Sequence, residues 1–138
     1  MTKTMFLSVA IGCSLFAAVP AHAEVLSFMA HMDGASESPA TDTKGMAMAD
    51  VKVDTVAKTI SWTIKASDLS GAPAAAHFHG PAAAGENAGV AIDISKAIDA
   101  GIAPITDAQM ADLMAGKLYL NIHTAKFPKG EIRGQVTK

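Results

Sequence analysis

The chain has 138 residues, of which half are hydrophobic and 17% charged, and its net charge is −2. This charge argues against nucleic-acid binding, which needs a basic surface, and the length suits a single domain. Residues 1–23 combine a basic start, an apolar run and the small-x-small sequence Ala21-His22-Ala23, which predict a secretory signal peptide. The mature domain would occupy residues 24–138. It would be a soluble periplasmic or secreted protein, because no later apolar stretch is long enough to span a membrane.

The only cysteine, Cys13, lies inside the predicted signal peptide. Cleavage would leave the exported domain without a disulfide, a thiolate ligand or a cysteine nucleophile. The sequence Ala10-Ile11-Gly12-Cys13 loosely resembles a lipoprotein cleavage box, but the apolar run continues through Val19, which disfavours lipidation of Cys13.

Most predicted elements are strands, because apolar residues recur with a period of two. In chain order they cover residues 25–32, 46–54, 58–66, 74–79, a short stretch from Val90 to Ile94, 117–124 and 130–137. One helix is predicted near 106–115, where Thr-Asp-Ala-Gln forms a capping box and Gly116 ends the helix. Short strands separated by turn signals predict an all-β protein, an antiparallel β-sandwich or flattened Greek-key barrel.

The first candidate metal site consists of His77, His79 and His123. Histidines at positions i and i+2 of a strand project from the same face, and His123 lies on the polar face of its own strand. If the two strands approach each other, three imidazole nitrogens converge, which suits copper or zinc. The alternative is that these histidines bond loop backbone or face solvent.

The second candidate site has softer ligands and consists of Met29, His31, Met46 and Met48. All four residues fall on the predicted outer faces of the first two strands, which a loop joins. Antiparallel pairing in a suitable register would gather three thioethers and one imidazole, a ligand set that favours Cu(I). Alternatively, the methionines fill space beneath a loop or a second sheet.

Four further residues are candidates for orienting the ligands or for binding an anion: Tyr119, Asn121, Glu131 and Arg133. Glu131 and Arg133 share one face and could form an ion pair or position a histidine, unless they are part of a solvated row of charges. The sequence offers no pair of nucleophile and base, so we predict no catalytic residues.

Several motifs occur in an order that resembles a known family. They are His77-Phe78-His79-Gly80-Pro81-Ala82, Gly85-Glu86-Asn87, residues 115–124, residues 130–136 and the early loop at residues 34–39. Together they resemble the CHRD (chordin) domain over nearly all of the mature chain. The resemblance implies a secreted β-sandwich similar to the Cu,Zn superoxide dismutase barrel, and it implies no established reaction.

Two departures from the family pattern stand out. Residues 126–130 replace the more usual Asn-Pro-Gly-Gly turn, and Met46 and Met48 stand where the family commonly has Gly or Thr. A dismutase centre uses six histidines and an aspartate, whereas residues 24–138 contain four histidines. A full dismutase centre is therefore excluded, although a mononuclear copper site is not.

The leading hypothesis is an exported protein that binds copper without catalysis, as a carrier, buffer or tolerance protein, with zinc as the alternative metal. Its partners would be the metal ion and another periplasmic protein. Two other hypotheses stay open at this point: a protein-interaction module whose histidines are structural, and, more weakly, a mononuclear copper redox enzyme.

Overall fold

The computed structural model describes residues 24–138, so the predicted signal peptide and Cys13 lie outside the described residues. Within them, eight antiparallel strands form one sheet, accompanied by one short helix. The elements are β1 (Val25–Asp33), β2 (Met46–Asp54), β3 (Thr59–Ser67), β4 (Pro73–His79), β5 (Val90–Asp93), β6 (Ala100–Pro104), α1 (Asp107–Met114), β7 (Tyr119–Thr124) and β8 (Ile132–Gln135). None of the helical structure in this range is long and apolar enough to cross a membrane.

The sheet curls into a nearly closed barrel. Its strand order is β5-β4-β7-β8-β1-β2-β3-β6, so β5 and β6 lie at opposite edges although they follow each other in the chain. A flat sheet of this order would separate its edges by about 34 Å, whereas the connection through residues 94–99 spans at most about 25 Å. The short connection therefore requires the curl, and the prediction of an all-β sandwich or flattened barrel is confirmed.

The predicted alternation of faces is confirmed on the first three strands. Inward positions form the hydrophobic core, while the positions between them are mainly exposed. Trp62 and Phe78 meet edge to face inside the core, with ring centroids 6.0 Å apart. The core of these three strands consists of Phe28, Ala30, Met32, Ala47, Ala49, Val51, Val53, Ile60, Trp62 and Ile64.

Helix α1 begins and ends as predicted. The Thr106 hydroxyl accepts a hydrogen bond from the Gln109 backbone N–H, and the Gln109 side chain accepts one from the Thr106 N–H. Met110 and Leu113 are buried against the barrel core. The local capping chemistry thus fixes where the helix starts, and the two apolar residues fix which face it buries.

Strand β6 was not predicted from the sequence. Its residues, Ala-Gly-Ile-Ala-Pro, have low strand propensity and no clear alternation. The strand nevertheless pairs with β3, and Gly101 lies directly opposite Trp62. A Cβ on Gly101 would collide with the Trp62 indole, so glycine allows β6 to approach the tryptophan at this edge.

Candidate metal centre

Strands β4 and β7 are neighbours, and their pairing positions the three histidines. His77 lies opposite Asn121, and His79 lies opposite Tyr119. The residues between the two histidines point the other way, with Phe78 fully buried in the core. Both imidazoles of β4 and that of His123 therefore project from the outer face of the barrel, as the period-two pattern predicts.

The three imidazoles come together at one point. One ring nitrogen from each of His77, His79 and His123 lies within 4.8 Å of the other two. His77 Nδ1 is 3.1 Å from His123 Nε2. The Oδ1 atom of Asn121 is 3.1 Å from His79 Nε2 and 3.1 Å from His123 Nε2. Asn121 thus lies at the centre of the cluster.

The outer nitrogens of His79 and His123 donate hydrogen bonds to backbone carbonyls, and that of His77 faces a carboxylate. His79 Nδ1 donates to the Ala88 carbonyl at 2.9 Å, and His123 Nδ1 donates to the Pro128 carbonyl at 3.0 Å. His77 Nε2 lies 3.7 Å from Asp93 Oδ1. A neutral imidazole carries one proton, so these partners leave His77 Nδ1, His79 Nε2 and His123 Nε2 with free lone pairs directed at one another.

Burial favours the neutral forms of His77 and His79. Desolvation lowers the pKa of His77, and the neighbouring imidazoles of His123 and His79 lower it further. Desolvation also lowers the pKa of His79, although Ala88 and Asn121, which would accept hydrogen bonds from the charged ring, act in the opposite direction. Four acceptor atoms, three nitrogens and one amide oxygen, therefore face one another with no proton assigned between them.

The spacing of these four atoms also suits a cation. Tetrahedral ligands held 2.0–2.1 Å from zinc or copper lie about 3.3 Å from each other, close to the 3.1 Å separations found here. Backbone carbonyls and carboxylates commonly hold the outer nitrogen of a metal-binding histidine in this way. The residues present can hold one ion with three imidazoles and the Asn121 amide oxygen.

Tyr119 and Arg133 support the cluster from the side. The Tyr119 ring stacks on His79 at 4.9 Å between centroids and 6° between planes. The Arg133 guanidinium lies over the Tyr119 ring, 3.5 Å from its centroid. It also donates hydrogen bonds to the Ala83 and Glu86 carbonyls. The stack fixes His79 against the loop of residues 80–89.

The expected solvated row of charges is wrong, because Glu131 and Arg133 are 0% and 1% exposed. Within residues 24–138, no hydrogen bond or ion pair joins the two side chains. The Glu131 carboxylate accepts hydrogen bonds from the Thr43 hydroxyl, from the N–H and hydroxyl of Ser70, and from the Thr124 hydroxyl. It therefore connects three segments of the chain.

The methionine set lies on the outer face of β1 and β2, and Met29, Met46 and Met48 are exposed, as predicted. His31 is directly opposite Met48, while Met46 pairs with Asp33 and Met29 pairs with Asp50. Met29 and Met46 are consequently four residues apart along the sheet, or about 14 Å. This register gathers His31 and Met48 but does not bring all four side chains to one point.

Two residues near the histidines were missed by the sequence analysis. Asp93 faces His77 from β5, where a lone carboxylate in a short strand gives no signal. Glu37 is 9% exposed in the loop before β2, and its Oε1 has no hydrogen-bond partner among residues 24–138. Glu37 belongs to the Gly/Glu/Pro loop of the family motif, which was a usable signal.

A cavity of about 790 Å³ opens beside the cluster. It lies between the loop of residues 37–42 and the turn of residues 126–130, and His79, Asn121 and His123 form part of its wall. Lys126 and Lys129 also border it. The cavity gives small ions and molecules a path to the histidine nitrogens.

The sequence model of the CHRD domain family matches residues 28–136, which is most of the chain. The matched range includes all three clustered histidines, Asn121 and the strands that carry them. No curated protein and no solved structure matches the chain significantly. The order of motifs, the all-β fold and the extent of the match agree, and the chain belongs to the CHRD domain family.

Proposed function

We propose that this domain is exported to the periplasm and binds one copper ion at His77, His79 and His123, as a carrier or buffer without catalysis. The observation that carries the proposal is the convergence of three ring nitrogens within 4.8 Å, each with its outer nitrogen turned to an acceptor. Membership in a family of extracellular-type domains supports export.

The chemistry of the ligands favours copper. Imidazole nitrogens suit both copper and zinc, and divalent copper binds such ligands more tightly than other first-row metals. Asn121 supplies an oxygen as the fourth ligand, and the cavity leads to that side of the cluster. Zinc remains the competing metal, because four-coordinate nitrogen and oxygen sites suit it as well.

A competition titration of the purified protein with Cu(II), Cu(I) and Zn(II) tests the proposal. We expect one Cu(II) ion per chain, bound more tightly than about 1 μM. His77→Gln and His79→Gln should each weaken Cu(II) binding about 100-fold or more, because each removes a ligand. Circular dichroism of the variants checks that they fold.

His31→Gln is the matched control, since His31 is exposed and lies away from the cluster. It should leave Cu(II) affinity unchanged. Copper binding weaker than micromolar, or equal in the His77 and His31 variants, overturns the proposal. Tighter binding of Zn(II) than of copper would assign the site to zinc.

One observation favours a second candidate function, a protein-interaction module with structural histidines. The imidazoles of His79 and His123 already bond the loop and turn that border the cavity, so they hold a surface in shape without a metal. This function predicts that a binding partner is retained in the presence of a chelator and by the His77→Gln variant. Loss of the partner under both conditions would exclude it.

A further inference from the structure

The outer face of β1 and β2 carries an unusual group of exposed methionines. Met29, Met46 and Met48 are 50%, 48% and 46% exposed, although the inward positions of the same strands are almost completely buried. Met32, one residue from His31, is fully buried, so the chain also uses methionine as a core residue. The three exposed thioethers are therefore concentrated on one part of the surface, which two paired strands form.

The strand register decides which of these side chains can share a ligand. His31 and Met48 are direct cross-strand partners, whose Cβ atoms lie about 5 Å apart in antiparallel sheets. Met46 is two residues along from Met48 on the same face, and Met29 is two residues along from His31 in the opposite direction. Since Met29 and Met46 are about 14 Å apart, only one of them can join His31 and Met48 around a single ion.

The orientation of the His31 imidazole favours Met46 over Met29 as the third ligand. Its Nδ1 lies 3.6 Å from Asp33 Oδ2, and Asp33 is the cross-strand partner of Met46. The ring is thus turned toward the Met46 end of the face. With the Asp33 carboxylate beside Nδ1, His31 presents Nε2, its other ring nitrogen, as the ligand atom.

We propose that Met46, Met48 and His31 form a Cu(I) site on the outer face of the barrel. Two thioethers and one imidazole are soft ligands that prefer a monovalent ion, and methionine's unbranched, flexible side chain lets both sulfur atoms turn toward it. Asp33 places a negative charge beside the ion, while Lys65, opposite Met48 on β3, lies on the other side.

This site is separate from the histidine cluster. One row of paired residues runs from Met46 through Asp33, Arg133 and Asn121 to His77. The row crosses four strand spacings, about 19 Å along the sheet. The two sites can therefore fill independently, and the inference does not depend on metal binding at His77.

Nuclear magnetic resonance of the protein labelled with ¹³C at the methionine methyl groups tests the proposal. The probe is Ag(I), a monovalent ion with a preference for thioethers and no redox chemistry, followed by Cu(I) under anaerobic conditions. One equivalent should shift the methyl signals of Met46 and Met48. The signals of Met114, an exposed methionine on α1, and of buried Met32 should stay in place.

Substitutions separate the ligands from their neighbours. Met46→Leu, Met48→Leu and His31→Gln should each weaken Cu(I) binding about tenfold or more, as read by a chromophoric competitor for Cu(I). Met29→Leu and Met114→Leu are the matched controls and should change the affinity less than twofold. All these positions are exposed, so the variants should fold.

Two outcomes overturn the inference: equal shifts of Met114 and Met46 with Ag(I), or equal losses of affinity from Met29→Leu and Met46→Leu. Failure of the histidine cluster is read separately, from Cu(II) and Zn(II) binding in the His77→Gln variant. A protein whose Cu(II) affinity is unchanged by His77→Gln, yet which shows the Met46 and Met48 shifts, supports the methionine site alone.

Discussion

His77 Nε2 lies 3.7 Å from Asp93 Oδ1, and the two residues are cross-strand partners on β4 and β5. The hydrogen bonds of the Asp93 carboxylate with Ser95 lower its pKa, so it stays ionised. The negative charge of the carboxylate therefore favours a proton on the nearer ring nitrogen, Nε2, which leaves Nδ1 free to face His123. Asp93 lies on β5, an edge strand of the sheet. It therefore approaches the cluster from the side of β4 that faces away from β7.

Asp93→Asn should weaken Cu(II) binding about tenfold, the lower end of the effect of a group that orients a metal ligand. The reason is that asparagine no longer fixes the proton of His77 on Nε2. Nitrogen NMR of the imidazole in the metal-free protein should show a larger fraction of His77 protonated on Nδ1. Asp99→Asn, an exposed carboxylate in the adjoining loop, is the control; equal effects of both substitutions would refute the role of Asp93.

Glu131→Gln should destabilise the fold by about 2–4 kcal/mol, because the carboxylate accepts charge-assisted hydrogen bonds while buried. Burial alone would raise its pKa, but the donors from Ser70, Thr124 and Thr43 hold the pKa below 4.5. The stabilisation is therefore present above pH 4.5 and is lost as the pH falls through the lower folded-state pKa. Urea unfolding should show a larger difference from wild type at pH 7 than at pH 3.

The matched control for Glu131 is Glu24→Gln, at an exposed position. It should leave stability unchanged at both values of pH. A difference between Glu131→Gln and wild type that is the same at pH 3 and pH 7 would show that the charge contributes nothing.

The contribution of Glu37 to stability should depend on pH in the opposite direction to that of Glu131. Burial raises its pKa to about 7, although Arg133 and the Ser38 N–H lower it in part. Because the folded state binds the proton more tightly than the unfolded state, stability should fall as the pH rises from 4.5 to about 7, by about 3 kcal/mol at most. Glu37→Gln should remove this fall, which urea unfolding at pH 5 and pH 8 measures. An unchanged pH profile would contradict the prediction.

Gly101→Ala should destabilise the protein by about 1–3 kcal/mol, since its Cβ collides with the Trp62 indole and forces β6 outward. Gly71→Ala is the matched control, because a Cβ at Gly71 meets nothing within 4 Å. Urea unfolding followed by the fluorescence of Trp62, the only tryptophan, measures both. Equal stabilities of the two variants would contradict a steric role for Gly101.

The sequence predicted those parts of the fold that depend on local alternation. The faces of β1 to β3, the capping box of α1 and the common face of His77 and His79 all follow from side chains that repeat every two or four residues. The same reasoning placed His123 on the polar face of its strand. It could not supply the register that sets His77 opposite Asn121, because pairing between distant segments leaves no local pattern.

The features that the sequence analysis predicted wrongly or missed have the same physical origin. Glu131 and Arg133 have the alternation of a solvent-exposed face, but the loops of residues 34–45 and 80–89 cover that face of β7 and β8. Coverage by a distant loop changes burial without changing the periodicity of the strand beneath it. Strand β6 was missed for the complementary reason, since its pairing with β3 stabilises residues of low strand propensity.

The two edges of the sheet also affect how copies of this protein meet. Strand β5 has four residues, and β6 has five and ends at Pro104, which has no backbone N–H to donate to another strand. Two short edges, one of which ends in proline, offer few unpaired groups for a strand from a second molecule. At high concentration, the barrel is therefore protected against edge-to-edge aggregation at the ends where its own sheet does not quite close.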